Sequence, residues 1–395
     1  MKPRGRSARM EATLGAMAPF LRFFNQSAWA KHRGDEGIAD FVIGNPHEMP
    51  LPAFVDALER ALPPRNELWF GYKENEPESR EVVARSLQHQ RGAPFEASDV
   101  FMTNGGFSAL SVSIATLTDP GDEVIYITPP WFFYEAIIVS HGATPVRVPI
   151  DRDTYDLDLD AIRAAITERT RAIIINSPNN PTGRIYPPST LMGLARVLSD
   201  ASARFGGRIF LLSDEAYSRI VFDGKPYPSP TDFYSDSLLL YTYGKTLLTP
   251  GQRIGYIALP PAMVDKGPLR EAIFAGQVVA GWAFPNALLQ HALADLETVS
   301  IDIGHLQRKR DKMVAALRDM GYELQAPEGT FYLLVRSPDP DDRAFSERLA
   351  GEGVFVLPGS VAELPGTFRI SLTASDAMIE QSLPGFERAI ASVVA

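Results

Sequence analysis

Residues 171–183 read RAIIINSPNNPTG, an apolar β-branched run that breaks abruptly into asparagine, serine and proline. The isoleucines at 173, 174 and 175 leave no polar face, so the run predicts a strand buried on both sides, as in a parallel sheet. The octet Asn176 to Gly183 that follows is turn-forming. In an open parallel sheet, ligands bind in the crevice beyond the carboxyl ends of the strands. This turn is therefore the first place to look for chemistry.

Outward from this stretch, short apolar runs alternate with helical patterns across residues 99–258. Strands are predicted at 100–102, 123–127, 144–148, 171–176, 208–213, 238–242 and 254–259, and helices at 107–117, 132–141, 159–167 and 189–204. Before this block, 51–62 and 78–90 read as amphipathic helices; after it, helical stretches cover 262–280 and 286–320. Strands near 331–335, 354–357 and 367–372, with helices over 342–351 and from 376 to the end, follow a different pattern. The expectation is an α/β fold: a mainly parallel seven-stranded sheet with helices on both faces, plus a smaller α+β domain. That smaller domain combines the N-terminal segment, 1–50, with the C-terminal part, 291–395, around a large domain at 51–290. The Gly44-Asn45-Pro46 turn is expected where the two meet.

Composition removes several function classes. With 395 residues, 45% hydrophobic and 22% charged, the chain can bury a large core. A formal charge of -10 argues against a nucleic-acid partner, and no apolar run is long enough to predict a membrane span. There is no cysteine, which rules out thiolate metal sites and disulfides and fits a reducing, cytoplasmic setting; no metal site is expected. Lys2, Arg4, Arg6 and Arg9 form a basic arm before the mildly apolar run 12–21, which is expected to be a helix packed on the body or on a partner subunit.

The predicted strand ends concentrate polar groups. Asn104-Gly105-Gly106-Phe107 leaves a strand and opens a helix, either a plain turn or an anion site made of free N–H groups and the helix dipole. Trp131 is either a core residue among Phe132, Phe133 and Tyr134 or a flat face for a heteroaromatic ring. Asn180 can aim its amide into the crevice. Asp214, in Ser213-Asp214-Glu215-Ala216-Tyr217, is either a helix N-cap or a buried carboxylate for a protonated ring nitrogen, with Tyr217 as a hydroxyl donor nearby. Lys245, flanked by Thr242, Gly244 and Thr246 and followed by Arg253, suits a Schiff-base lysine beside a phosphate held by a hydroxyl and a guanidinium. Together these groups describe a pyridoxal phosphate site. A dinucleotide fingerprint is not met.

Asn104-Gly105, Trp131, the 177–183 segment, Asp214 to Tyr217, the Lys245 segment with Arg253, and Phe368 to Leu372 occur in the order found in class I/II aminotransferases. The chain resembles this pyridoxal phosphate fold type I family from Gly44 to Arg369. The resemblance implies that Lys245 carries the cofactor and Asp214 pairs with its ring nitrogen. It assigns Asn180 and Tyr217 to the ring oxygen and Trp131 to the ring face. Gly105, Gly106, Phe107, Thr242 and Arg253 would surround the phosphate, and Arg369, Asn180 and the backbone of Gly44 the substrate carboxylate. It further implies a ping-pong exchange between an L-amino acid and a 2-oxo acid in a homodimer with shared sites, the cluster Trp69, Phe70 and Tyr72 crossing the interface. Phe70 stands where family members often carry a tyrosine that reaches the neighbouring phosphate, so Tyr72 is the expected replacement. Phe107 replaces a commonly polar residue, which leaves its backbone N–H as ligand. No arginine occurs at 285–290, where part of the family places a second carboxylate-binding cation. An apolar or aromatic amino donor is therefore expected. A dicarboxylate donor served by Arg22 or Arg65, or a β-lyase or decarboxylase reaction on the same scaffold, is the alternative.

Overall fold

The computed structural model describes residues 5–394. Its seven-stranded sheet runs in the order Val100–Thr103, Gly255–Ala258, Ser237–Thr242, Phe210–Asp214, Thr170–Asn176, Glu123–Thr128, Thr144–Pro149. Gly255–Ala258 is antiparallel to both its neighbours, and the other pairings are parallel. Period-two side-chain alternation splits the central strand between two cores. Ile173 and Ile175 face the helices Leu159–Ala165 and Pro188–Phe205, meeting Ile162, Leu194 and Leu198. Ala172 and Ile174 face the other layer, with Leu110, Ile138 and Ile273 from the helices Gly105–Leu117, Tyr134–Ser140 and Lys266–Val279. Both faces are covered, as the uninterrupted isoleucines require.

A second lobe holds a three-stranded antiparallel sheet, Leu357–Pro358, Thr367–Ser371 and Tyr332–Arg336, covered by the helices Ile303–Asp319, Asp342–Gly351 and Asp376–Val394. The N-terminal segment joins this lobe: Ala39–Asp40 pairs in parallel with Val354–Phe355, and Phe41 is buried in the lobe's core. The helix Ala8–Gln26, N-capped by the Ser7 hydroxyl, lies across both lobes: Phe20 stacks on Phe132 at 4.8 Å, and the helix's phenylalanines join a cluster with Phe355 and Val361. Of the basic arm, Lys2 and Arg4 lie outside the described residues.

Several boundaries differ from the sequence expectation. The stretch 286–320 is three helices, Ala287–His291, Leu293–Leu296 and Ile303–Asp319, because polar caps restart it: Asn286 Oδ1 accepts from Leu289 N–H and Asp302 Oδ1 from His305 N–H. The 354–357 strand divides in two, Val354–Phe355 following Ala39–Asp40 and Leu357–Pro358 following Phe368 and Arg369. The helix placed at 262–280 begins only at Lys266, after Asp265 in the left-handed region at φ 52°. Leu293 and Leu296 pack with Phe54 and Leu87 of the large lobe, whereas Ile301 joins a cluster shared by both lobes and donates its N–H to the Thr246 carbonyl.

Candidate active site

The strand ends open into a pocket of about 420 Å³ between the lobes. Gly44, Gly106, Phe107, Trp131, Asn180 and Asp214 line it, as do Tyr217, Thr242, Lys245, Arg253 and Arg369. Residues separated by more than three hundred positions in sequence thus converge on one crevice.

One end of the pocket is a cradle for an anion. Gly105 opens its helix at φ +76°, and a Cβ there would lie 2.9 Å from Arg253 Nη2 and 3.2 Å from Thr242 Oγ1. Only a glycine lets this backbone approach the guanidinium so closely. Arg253 is anchored by Nη1 donating to the Pro250 carbonyl at 2.7 Å. Burial pushes its pKa down, and among the described residues no carboxylate pairs with it. A dianion in this cradle would supply the missing charge.

The middle of the pocket offers a flat face and a carboxylate. Trp131 leans on the large-lobe core and also lines the pocket, with Phe107 edge-on to it at 4.4 Å. The Phe107 side chain is therefore part of the wall, and not only a backbone donor. Asp214 caps no helix; the segment after it is a turn, in which its Oδ1 accepts the Ala216 N–H at 3.2 Å. Its Oδ2 accepts the Tyr134 hydroxyl at 2.5 Å. Burial raises the Asp214 pKa, while the Tyr134 and Ala216 donors and the Lys245 charge oppose the rise. Lys245 Nζ stands 5.4 Å from the Tyr217 ring centre and 5.7 Å from that of Phe331.

At the far end, Arg369 comes from the small-lobe strand Thr367–Ser371 and is 4% exposed. Its Nη1 donates to Asn180 Oδ1 at 2.9 Å and its Nη2 to the Val42 carbonyl at 2.8 Å, while Nε has no partner. Because arginine only donates, the Asn180 amide turns its oxygen to Arg369 and keeps Nδ2 as a free donor. The guanidinium lies 4.0 Å over the Tyr332 ring. Gly44 is forced small here: a Cβ would meet the Tyr332 hydroxyl at 2.7 Å and the Phe331 ring at 2.8 Å.

Tyr72 lies elsewhere. It is 94% exposed and edge-on to Trp282 at 5.5 Å, outside this chain's own pocket. Trp69, expected with it at an interface, is instead buried, stacked on His291 at 3.6 Å with its indole N–H on the Ala61 carbonyl. Sequence reasoning missed Tyr134, Tyr332 and Asn176. Asn176 links two strand ends, donating to the Asp214 carbonyl and accepting the Asn180 N–H. The signals were faint: Tyr134 begins a helix three residues after Trp131, and Tyr332 lies on the strand paired with that of Arg369.

The family model "Aminotransferase class I and II" matches residues 36–384. The chain belongs to the class I and II aminotransferase family. A probable aspartate/prephenate aminotransferase of Thermus aquaticus is 30% identical over 319 residues, covering 80% of this chain and 82% of its own. An amino transferase of Eubacterium rectale superposes with a TM-score of 0.88 at 31% identity, covering 99% of this chain and 96% of that one. The aspartate aminotransferase of Thermus thermophilus, solved with maleate, does so with a TM-score of 0.81 at 28% identity, covering 98% and 100%. This aminotransferase thus moves an amino group between an amino acid and a 2-oxo acid, using pyridoxal 5′-phosphate. The residues present fit that cofactor: a glycine cradle with an unpaired guanidinium for the phosphate, an indole face for the ring, a buried carboxylate and a lysine.

Proposed function

We propose that this pocket is the transamination site and that its preferred donor is an amino acid with an apolar or aromatic side chain. The observation that carries the reading is the convergence of Lys245, Arg253 and Arg369, all three without a carboxylate ion pair among the described residues. Arg369 is buried and Lys245 and Arg253 are half-buried, and cations withdrawn from water without a partner are costly unless a ligand completes them. Bound pyridoxal phosphate supplies an aldehyde that condenses with amines and a cationic ring that draws electrons from the substrate α-carbon.

The chain's own residues do the rest. Gly105, Gly106 and Phe107 would offer backbone N–H groups to the phosphate, with Thr242 and the Arg253 guanidinium beside them. Asp214 would hold the ring-nitrogen proton, Trp131 would cover the ring face, and Asn180 Nδ2 and the Tyr217 hydroxyl would donate to the ring oxygen. Arg369 grips the substrate carboxylate with its free edge, beside Asn180 and the Gly44 backbone. This fixes the α-carbon near Lys245, whose Nζ takes the α-proton as general base.

Lys245, Arg253 and Arg369 are the cations lining the pocket, and each already has a role. Beside the polar Asn176 and Tyr332, the wall includes Ile43, Phe107, Leu110, Phe132 and Phe133, an apolar stretch that favours an apolar side chain. Arg22 and Arg65 do not line it, and Arg65 sits over the Trp69 ring at 5.2 Å. A tetra mutant of the Thermus thermophilus enzyme has been solved in complex with tryptophan, so that related scaffold can hold an aromatic amino acid. A dicarboxylate donor is the second reading, favoured by the aspartate aminotransferase names of the relatives. A kcat/KM panel over amino acids decides between them: phenylalanine or leucine leading is expected, and aspartate leading overturns the preference. With one amino acid and no oxo acid, turnover should stop after a single half-reaction, whereas a lyase would continue.

A cytoplasmic homodimer completes the reading. Exposed Phe70, Tyr72, Val279 and Trp282 form an apolar surface that a second copy would cover, bringing Tyr72 to the partner's phosphate. Sedimentation of a fully active monomer would exclude it.

A further inference from the structure

A carboxylate largely withdrawn from water needs donors, and Asp214, 8% exposed at the pocket wall, has one short bond and one long one. Tyr134 Oη donates to Oδ2 at 2.5 Å, and the Ala216 N–H donates to Oδ1 at 3.2 Å. Tyr134 is 2% exposed and takes no part in the scheme above. It opens the helix Tyr134–Ser140, and its backbone N–H donates to the Trp131 carbonyl at 3.0 Å. Its ring meets that of Trp131 edge-on at 5.6 Å. One turn of chain therefore carries both the flat face of the pocket and the hydroxyl that fixes its carboxylate. The turn is itself wedged, since Phe20 of the N-terminal helix packs on Phe132 and Phe133, the two residues between them.

We infer that Tyr134 is the positioning residue for cofactor binding: it holds Asp214 ionised and aimed at the ring, in register with the Trp131 face. The inference rests on the assignment of Asp214 to the ring nitrogen. A phenol hydroxyl bonded to a carboxylate donates its hydrogen, and donation favours the charged form of the acceptor. Burial and the Asp214 charge push the Tyr134 pKa well above its usual value, so it remains a donor throughout the working range. Burial alone would drive Asp214 towards the neutral acid; Tyr134, the Ala216 N–H and Lys245 work against this, and Glu215 works with it. Tyr217 also faces the Asp214 charge and stays protonated, chiefly because burial and the neighbouring Tyr332 push its pKa up, with Asp214 adding to them and Arg369 opposing. Without the Tyr134 hydroxyl, Asp214 takes up a proton at higher pH, and the ring nitrogen loses its anionic partner there.

The test is equilibrium titration of apoprotein with pyridoxal phosphate across a pH series, for wild type, Tyr134→Phe and Asp214→Asn. Cofactor fluorescence and absorbance are read well below the lowest melting midpoint of the three. Tyr134→Phe keeps the ring and removes one oxygen. It is expected to weaken binding about ten- to a hundredfold, the worth of one hydrogen bond to a buried charge. It should also move the acid limb of the affinity profile to higher pH. If Tyr134 merely fills space, affinity falls little, or falls equally at all pH values with the limb unmoved; either result overturns the proposal while Asp214→Asn still weakens binding. If Asp214→Asn binds as wild type does, the assignment of Asp214 fails first, and the role of Tyr134 with it.

Discussion

Gly105→Ala is the sharpest perturbation of the phosphate cradle, because its cost can be worked from positions of atoms. At φ +76° an alanine is strained by about 1–2 kcal/mol relative to glycine. Its Cβ would also sit 2.9 Å from Arg253 Nη2, 3.1 Å from Cζ and 3.2 Å from Thr242 Oγ1. The main chain of Gly255 runs so close to Gly105 that a Cβ built on it would lie 2.9 Å from the Gly105 Cα, which leaves little room for the backbone to shift that way. Arg253 and Thr242 must therefore give way, which forfeits a charge-assisted contact to the phosphate of about 1.5–3 kcal/mol. Titration of apoprotein with pyridoxal phosphate should show binding weakened roughly ten- to a hundredfold. Gly106→Ala is the matched control, because its Cβ would make only ordinary contact, 3.7 Å from Thr242 Cγ2. The reasoning fails if Gly105→Ala binds the cofactor as wild type does, or if Gly106→Ala is equally damaging.

Two further substitutions probe other parts of the site. Arg369→Gln removes the proposed carboxylate grip and should lower kcat/KM for the amino acid roughly a hundredfold or more while leaving cofactor affinity unchanged; parallel loss of both would contradict the division of labour between the arginines. Arg91, its side chain 8% exposed, donates at 2.6 Å to Glu215, which is fully buried behind Asp214. Urea unfolding of Arg91→Met apoprotein should show a loss of about 3–5 kcal/mol, because a buried carboxylate is left unpaired. Arg91→Met with Glu215→Gln should recover most of it; a single variant as stable as wild type would show the pair to be dispensable.

The large-lobe sheet was legible because its strands are buried on both faces and so read as unbroken apolar runs, such as Ile173 to Ile175, ended by turn residues. Residues at the ends of those runs were natural site candidates, and Asp214, Asn180 and Lys245 do converge on one pocket. What escaped notice depends on partners distant in sequence. Tyr134 reads as one aromatic among four until the fold brings Asp214, eighty residues away, to its hydroxyl. Tyr332 is a strand residue until Arg369 lies over its ring. The periodicity over 286–320 is that of a helix throughout, and only the caps at Asn286 and Asp302 divide it. Trp69 carries no mark of its burial, which comes from stacking on His291.

The central claim is that Lys245 carries the cofactor. Borohydride reduction of the protein loaded with pyridoxal phosphate, followed by peptide mass spectrometry, tests it most directly. The account predicts one stable cofactor adduct, on the peptide containing Lys245, and its loss in Lys245→Ala. An adduct on another lysine, or no adduct in a protein that binds the cofactor tightly, would contradict it.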